Sequence, residues 1–212
     1  MKPAIKNLEL RLRGMTPSFM RTTYRVIRSL GNVKTSKDLP TQLVEDCRFC
    51  ASRSHMLDHL PHDGIVAELG TWKGDFAREI MARTTPRELH LVDLDYSKFS
   101  SDGLVDDRVF RHIGFTHEVT ASFDDDTFDW VYVDAQHSYE GVLRDAHAAA
   151  DKIKPGGFLV FNDFAHIDPF LGRYGVHRAV VDFALKKSWP LRFFAFQSSA
   201  LYDVALQKPP AG

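Results

Sequence analysis

Three features of the sequence predict an α/β fold built on a single seven-stranded, mostly parallel sheet flanked by helices. From residue 64 onward, short apolar runs alternate with segments of helical spacing, the pattern of strands joined by crossovers. The first of these runs, Ile65 to Leu69, passes directly into Gly70-Thr71-Trp72-Lys73-Gly74, a glycine-bounded turn from strand into helix. The last two runs are separated by only Ser198, Ser199 and Ala200, too short for a crossover, so they form an antiparallel hairpin. A chain of 212 residues, 44% hydrophobic and 26% charged, suits one such core.

The first 62 residues read as an N-terminal helical extension, and residues 63–212 as the sheet domain. Apolar positions Phe19, Met20, Tyr24, Val26, Ile27 and Leu30 recur at helical spacing, and Gly31-Asn32 supplies a stop. A second helical stretch is expected from about Leu39 to Leu60; it contains Cys47 and Cys50, a C-x-x-C whose surroundings read as helix rather than as a redox turn. Residues 1–37 hold nine Lys or Arg against Glu9 alone, a net +8, leaving −9 for the remainder of a chain whose total is −1. A solvated helical face explains this basic start best. Contact with an anionic membrane face or an acidic partner is the alternative, and nucleic acid is disfavoured because aromatic residues are not interleaved as stacking platforms.

Strands are predicted at 65–69, 89–93, 108–113, 129–134, 157–162, 191–197 and 201–207, with helices at about 74–84, 139–152 and 175–188. No apolar run reaches the length of a spanning helix, and no secretory signal is recognisable, so a cytoplasmic protein is expected.

Chemistry concentrates at the strand ends. Glu68, Gly70, Thr71, Trp72 and Gly74 occupy the first strand-to-helix turn, where Gly70 allows close approach and free N–H groups at the helix start face a polar cofactor group. The spacing is acidic-x-G-x-x-x-G, not the G-x-G-x-x-G of dinucleotide loops. It resembles the first motif of class I S-adenosylmethionine (SAM)-dependent methyltransferases, which implies a Rossmann-like methyltransferase fold with SAM as cofactor. Asp93 ends the second strand, 19 residues past Gly74, where an acid accepts hydrogen bonds from ribose hydroxyls; Asp95 competes for the role. Phe115, after the third strand, stands where the family contacts adenine.

The most informative stretch runs from Phe128 to Asp145 and places Asp134 at the end of the fourth strand, with His137 three residues on. The fifth strand ends in Asn162-Asp163, after Lys154-Pro155-Gly156-Gly157. Asp134, Asp163 and the Asn162 amide oxygen form a donor set suited to a hard cation such as Mg²⁺, and His137 is a candidate general base. D-x-x-H-x-Y followed by K-P-G-G and a strand-end Asp is similar to methyltransferase family 24 and to metal-dependent sugar O-methyltransferases. That resemblance implies Asp134 and Asp163 as Mg²⁺ ligands and His137 as base, with Asn162 departing from the acidic ligand of the sugar enzymes.

The expected activity is therefore methyl transfer from SAM to a hydroxyl of a small molecule, such as a sugar or glycoside, with metal assistance. The alternatives are a metal-independent enzyme acting on nitrogen or carboxylate, and a non-catalytic SAM-fold module docking through its basic helix. A homodimer is compatible with either. The segment after Asp163 adds His166, Asp168, Arg173, Tyr174 and His177 to a loop over the strand ends.

Overall fold

The computed structural model describes residues 22–23 and 36–211, apart from 166, 169–171 and 199. Most of the helix expected over Pro17–Leu30, and His166, lie outside the described residues.

After a short 3₁₀ turn at Thr41–Leu43 come β1 (Arg48–Cys50), α1 (Arg53–Leu57), β2 (Ile65–Leu69), α2 (Asp75–Thr84), β3 (Glu88–Asp93) and β4 (Val109–Ile113). They are followed by α3 (Thr116–Ala121), β5 (Phe128–Val133), α4 (Tyr139–Ala150) and β6 (Ile153–Phe161). A two-residue hairpin, β7 (Ile167–Asp168) and β8 (Gly172–Arg173), precedes α5 (Val176–Lys187), β9 (Leu191–Ala195) and β10 (Asp203–Gln207).

The main sheet has eight strands, not seven, in the order β4-β3-β2-β5-β6-β10-β9-β1. β2 pairs in parallel with β3 and β5, and β5 with β6, while β10 is antiparallel to both β6 and β9, as the short connection requires. Strand order reverses between β2 and β5, and in an open α/β sheet the crevice beyond the strand ends at that point receives the ligand.

The extra strand corrects the expectation of one helix over Leu39–Leu60. Arg48, Phe49 and Cys50 lie extended and pair in parallel with Phe193, Phe194 and Ala195. The reason is non-local: β9 would otherwise be an edge with unpaired backbone groups, and three extended residues satisfy part of it. α1 then starts on Ser52, whose side chain accepts from the His55 N–H at 3.1 Å. Helix α3, which the apolar spacing does not announce, opens at Phe115.

Central strands are buried on both faces, as crossover helices demand. Ala67, Leu69, Val131 and Val133 point into one core with Val142, Ala146, Val180 and Phe183 of α4 and α5. Val66, Trp130, Tyr132 and Val160 alternate to the other face, against Met56, Leu57, Phe76 and Ile80 of α1 and α2. Among the described residues, no helix is long and apolar enough to cross a membrane.

Candidate active site

The backbone brings the ends of β2, β3, β5 and β6 together. The Gly70 N–H donates to the Val92 carbonyl (2.8 Å), Asp134 N–H to Leu69 (2.8 Å) and Asn162 N–H to Val133 (3.1 Å). Gly70 has φ +99°, and a Cβ there would run into the Asp134 carbonyl oxygen and lie 2.7 Å from Ala135 Cα. Only glycine permits both the dihedral and the approach.

Glu68 is 1% exposed and ends β2 beneath this turn. Burial first, then the neighbouring Asp134 carboxylate, push Glu68 well above the usual carboxylate range, against the pull of Arg53. Glu68 Oε2 and Thr71 Oγ1 are buried and make no hydrogen bond of full geometry, although the Thr71 hydroxyl lies near enough to Glu68 to pull its carboxyl down against burial.

At the end of β3, Asp93 Oδ2 accepts from the Trp72 N–H (2.8 Å) and Oδ1 from the Asp95 N–H (3.2 Å). Asp95 is tied back to Ser97, through its N–H (2.8 Å) and its hydroxyl (2.7 Å), so each of the two acids already accepts two hydrogen bonds. Trp72 itself is 57% exposed at φ +50°, and its ring lies 4.5 Å from Lys73 Nζ. Gly74, at φ +82°, opens α2, and Phe99 and Leu104 close against it. Gly114 N–H donates to the Asp93 carbonyl (3.1 Å), which sets Phe115, 38% exposed, beside the ribose end of the crevice.

On the other side, His137 Nε2 lies 3.3 Å from Asp134 Oδ1 and 3.4 Å from Asp163 Oδ2. The ring stacks on Tyr174 at 4.5 Å, and the His137 carbonyl accepts from the Gly175 N–H (2.8 Å). Ser138 caps α4 immediately afterwards, so imidazole, turn and helix start form one rigid unit. Asp163 holds φ +55°, a conformation that recurs at functional sites. Tyr139 is spent on packing: its hydroxyl donates to Asp182 (2.8 Å) and Arg178 covers its ring.

Asn162 departs from expectation. Its amide N–H₂, not its oxygen, faces Asp134 and donates to Oδ1 at 2.9 Å. Two carboxylates and an amide have the right chemistry for a hard cation, but here the amide donates and an imidazole nitrogen stands between the carboxylates. The arrangement fits Mg²⁺ only in part.

A buried network behind the site went unread in the sequence. Tyr132 donates to Asp203 Oδ2 at 2.6 Å, Gln197 donates to the other oxygen, and Arg53 reaches in from α1 over the Phe76 ring at 4.5 Å, acting on both Tyr132 and Asp203. An acid inside the apolar run of β10 was the available signal; nothing local distinguishes Arg53.

Burial, reinforced by Asp134 and Asp163, raises Asp203 to about 7 against the opposing hydrogen bond from Tyr132 and the charge of Arg53. Between about pH 4 and 7 the folded chain thus binds a proton that the unfolded chain releases. The contribution is full below about pH 4 and is lost as pH rises through 7. Urea unfolding of wild type and Asp203→Asn across that range checks this: the stability difference should move against the wild type as pH rises, and a flat difference would contradict it.

The comparisons with known proteins concern the fold that carries these residues. A family described as a methyltransferase domain matches residues 67–164. A SAM-dependent methyltransferase from Mesorhizobium loti superposes with a TM-score of 0.54 at 14% identity, covering 71% of this chain and 94% of that one. A SAM-dependent methyltransferase from Methanosarcina mazei gives 0.56 at 12%, covering 74% and 97%. Spermidine synthase from Thermotoga maritima gives 0.52 at 18%, covering 76% and 59%. At such identities the likeness is one of fold alone, and no protein of curated function matches in sequence. The matched domain runs from within β2 to just past β6, so this stretch of the chain is similar to a methyltransferase domain, and the sheet that holds it has the fold of SAM-dependent methyltransferases.

Proposed function

We propose that this protein methylates a hydroxyl of a small polar molecule, such as a sugar or glycoside, with His137 as the base. One observation carries the reading: a buried imidazole nitrogen without a hydrogen-bond partner sits between two carboxylates at the acceptor side of the crevice.

When bound, SAM supplies a methyl group activated by its sulfonium charge. Asp93, Asp134 and Asp163 give the crevice a negative field that favours a cationic cofactor and opposes the pyrophosphate of a dinucleotide. Asp93 would hold the ribose, Phe115 would flank the adenine, and the Gly70 to Gly74 turn would let the backbone approach. His137 Nε2 would accept the proton of an acceptor hydroxyl hydrogen-bonded to it as that oxygen takes the methyl group, and Asp134 and Asp163 would stabilise the resulting imidazolium, with S-adenosylhomocysteine as the other product. Alignment and exclusion of water supply the rest of the acceleration.

A second reading keeps Asp134, Asn162 and Asp163 as Mg²⁺ ligands, favoured by two carboxylates on adjacent strand ends that bracket one point. Calorimetry with SAM, followed by labelled-methyl transfer to a panel of polyhydroxylated acceptors, tests the proposal. SAM is expected to bind at micromolar concentration, and no binding at millimolar SAM would sink it. Turnover that persists in EDTA assigns the proton to His137 alone, whereas loss restored by Mg²⁺ assigns the carboxylates to a metal.

A further inference from the structure

The departure of residues 48–59 from a single helix creates a second constellation, apart from the crevice. Cys50 ends β1 and is 1% exposed; His55 lies in α1 and His59 just beyond it. One donor atom from each lies within 4.8 Å of the other two. We propose that Cys50, His55 and His59 form a binding site for a borderline-soft divalent ion of the zinc class, which clamps α1 onto β1.

Geometry supports this first. The two Nε2 atoms are 3.3 Å apart. Tetrahedral zinc with Zn–N bonds of about 2.0–2.1 Å places two nitrogens about 3.3 Å from each other. The thiolate needs an approach of about 3.5 Å to each nitrogen, so metal binding must draw the Cys50 sulfur in from its present distance of at most 4.8 Å. A sulfur and two imidazoles select zinc or its neighbours over Mg²⁺, and the H-x₃-H spacing is that of structural zinc sites.

The hydrogen bonds describe the metal-free state. Ala51 N–H donates to His55 Nδ1 at 3.1 Å, and Arg48 Nη1 lies 3.4 Å from His59 Nδ1. Both contacts place the imidazole protons on the Nε2 atoms, which then face each other as two donors. Ligation through Nε2 moves each proton to Nδ1, so metal binding must break both contacts and release Ala51 N–H and Arg48, both exposed, to water. The Arg48 charge acts on Cys50 and His59 more strongly than that of Asp58, so it opposes a cation there.

Cys47 is not a ligand. It packs against the opposite core, so only one half of the C-x-x-C faces the histidines. The benefit to the enzyme is positional, because Arg53 stands two residues before His55 in the same short helix and reaches into the Tyr132–Asp203 network.

The test uses the full-length protein stripped with a chelator and titrated with Zn²⁺ against a chromophoric competitor, then with Co²⁺ as a spectroscopic probe. One equivalent of Zn²⁺ is expected, with Zn²⁺ raising the Tm. Co²⁺ should give intense tetrahedral d–d bands and a thiolate charge-transfer band. His55→Ala and His59→Ala should each weaken Zn²⁺ at least tenfold, Cys50→Ala should abolish the thiolate band, Cys47→Ser should leave it, and Arg48→Ala should tighten binding. Tm values of the metal-free variants show that each is folded. Stoichiometry below a tenth of an equivalent, a Co²⁺ spectrum without the thiolate band, or a band that survives Cys50→Ala would overturn the site. The crevice, which offers only oxygen and imidazole donors, cannot mimic that band.

Discussion

Gly70→Ala is expected to weaken SAM binding at least 100-fold, about 2.7 kcal/mol, and to destabilise the fold at the same time. Two effects combine at this position. The φ of +99° lies outside the region an L-residue enters readily, which costs about 1–2 kcal/mol. The added methyl also meets backbone, namely the Asp134 carbonyl and Ala135 Cα, and neither is the yielding tip of a side chain. Relief requires the ends of β2 and β5 to part, at a further cost of about 1–3 kcal/mol. That movement carries Glu68 and Thr71 away from Asp134, dispersing the buried polar atoms of the proposed cofactor turn. Gly156→Ala separates the two effects, because Gly156 also has positive φ (+80°) but nothing within 4 Å of the added methyl. Calorimetry with SAM and urea unfolding should show Gly156→Ala mildly destabilised with SAM affinity intact. If Gly70→Ala bound SAM within threefold of wild type, the assignment of this turn to the cofactor would be wrong.

How far the sequence alone reaches follows from how local each determinant is. β2, β3, β5 and β6 are buried on both faces by crossover helices, so they read as continuous apolar runs, and their ends fall within a few residues of expectation. Glu68, Asp93, Asp134, His137 and Asp163 were legible for the same reason: each follows an apolar run, and a parallel sheet places such residues on one rim. β1 was not legible, because Arg48-Phe49-Cys50 becomes a strand only by pairing with β9, some 145 residues away in sequence. Its apolar spacing is equally compatible with helix. Arg53, Tyr132 and Asp203 were missed likewise, since their meeting depends on three elements that only the closed sheet brings together. The orientation of the Asn162 amide belongs to the same class: sequence names the group, and only its neighbours decide whether oxygen or nitrogen faces Asp134.

His137→Ala is expected to lower turnover by about 10² to 10⁴, the range for loss of a positioned base, while SAM affinity changes less than threefold. The separation follows from placement. His137 begins the proposed acceptor side, its ring fixed by Tyr174 and its nitrogen held between Asp134 and Asp163, whereas the proposed cofactor contacts lie along Glu68 to Gly74 and at Asp93. Removal of the imidazole also leaves two carboxylates facing one another without the cation that proton transfer would create between them. Asp163→Asn should therefore lower turnover less than His137→Ala, by about 10- to 100-fold, since it weakens stabilisation of the imidazolium and leaves the base in place. Chemical rescue separates base from scaffold: added imidazole should restore part of the rate of His137→Ala and leave Asp163→Asn unchanged. A His137→Ala enzyme that ignored imidazole would place the base elsewhere, and the polar loop between Asp163 and Gly175 would be the first place to search for it.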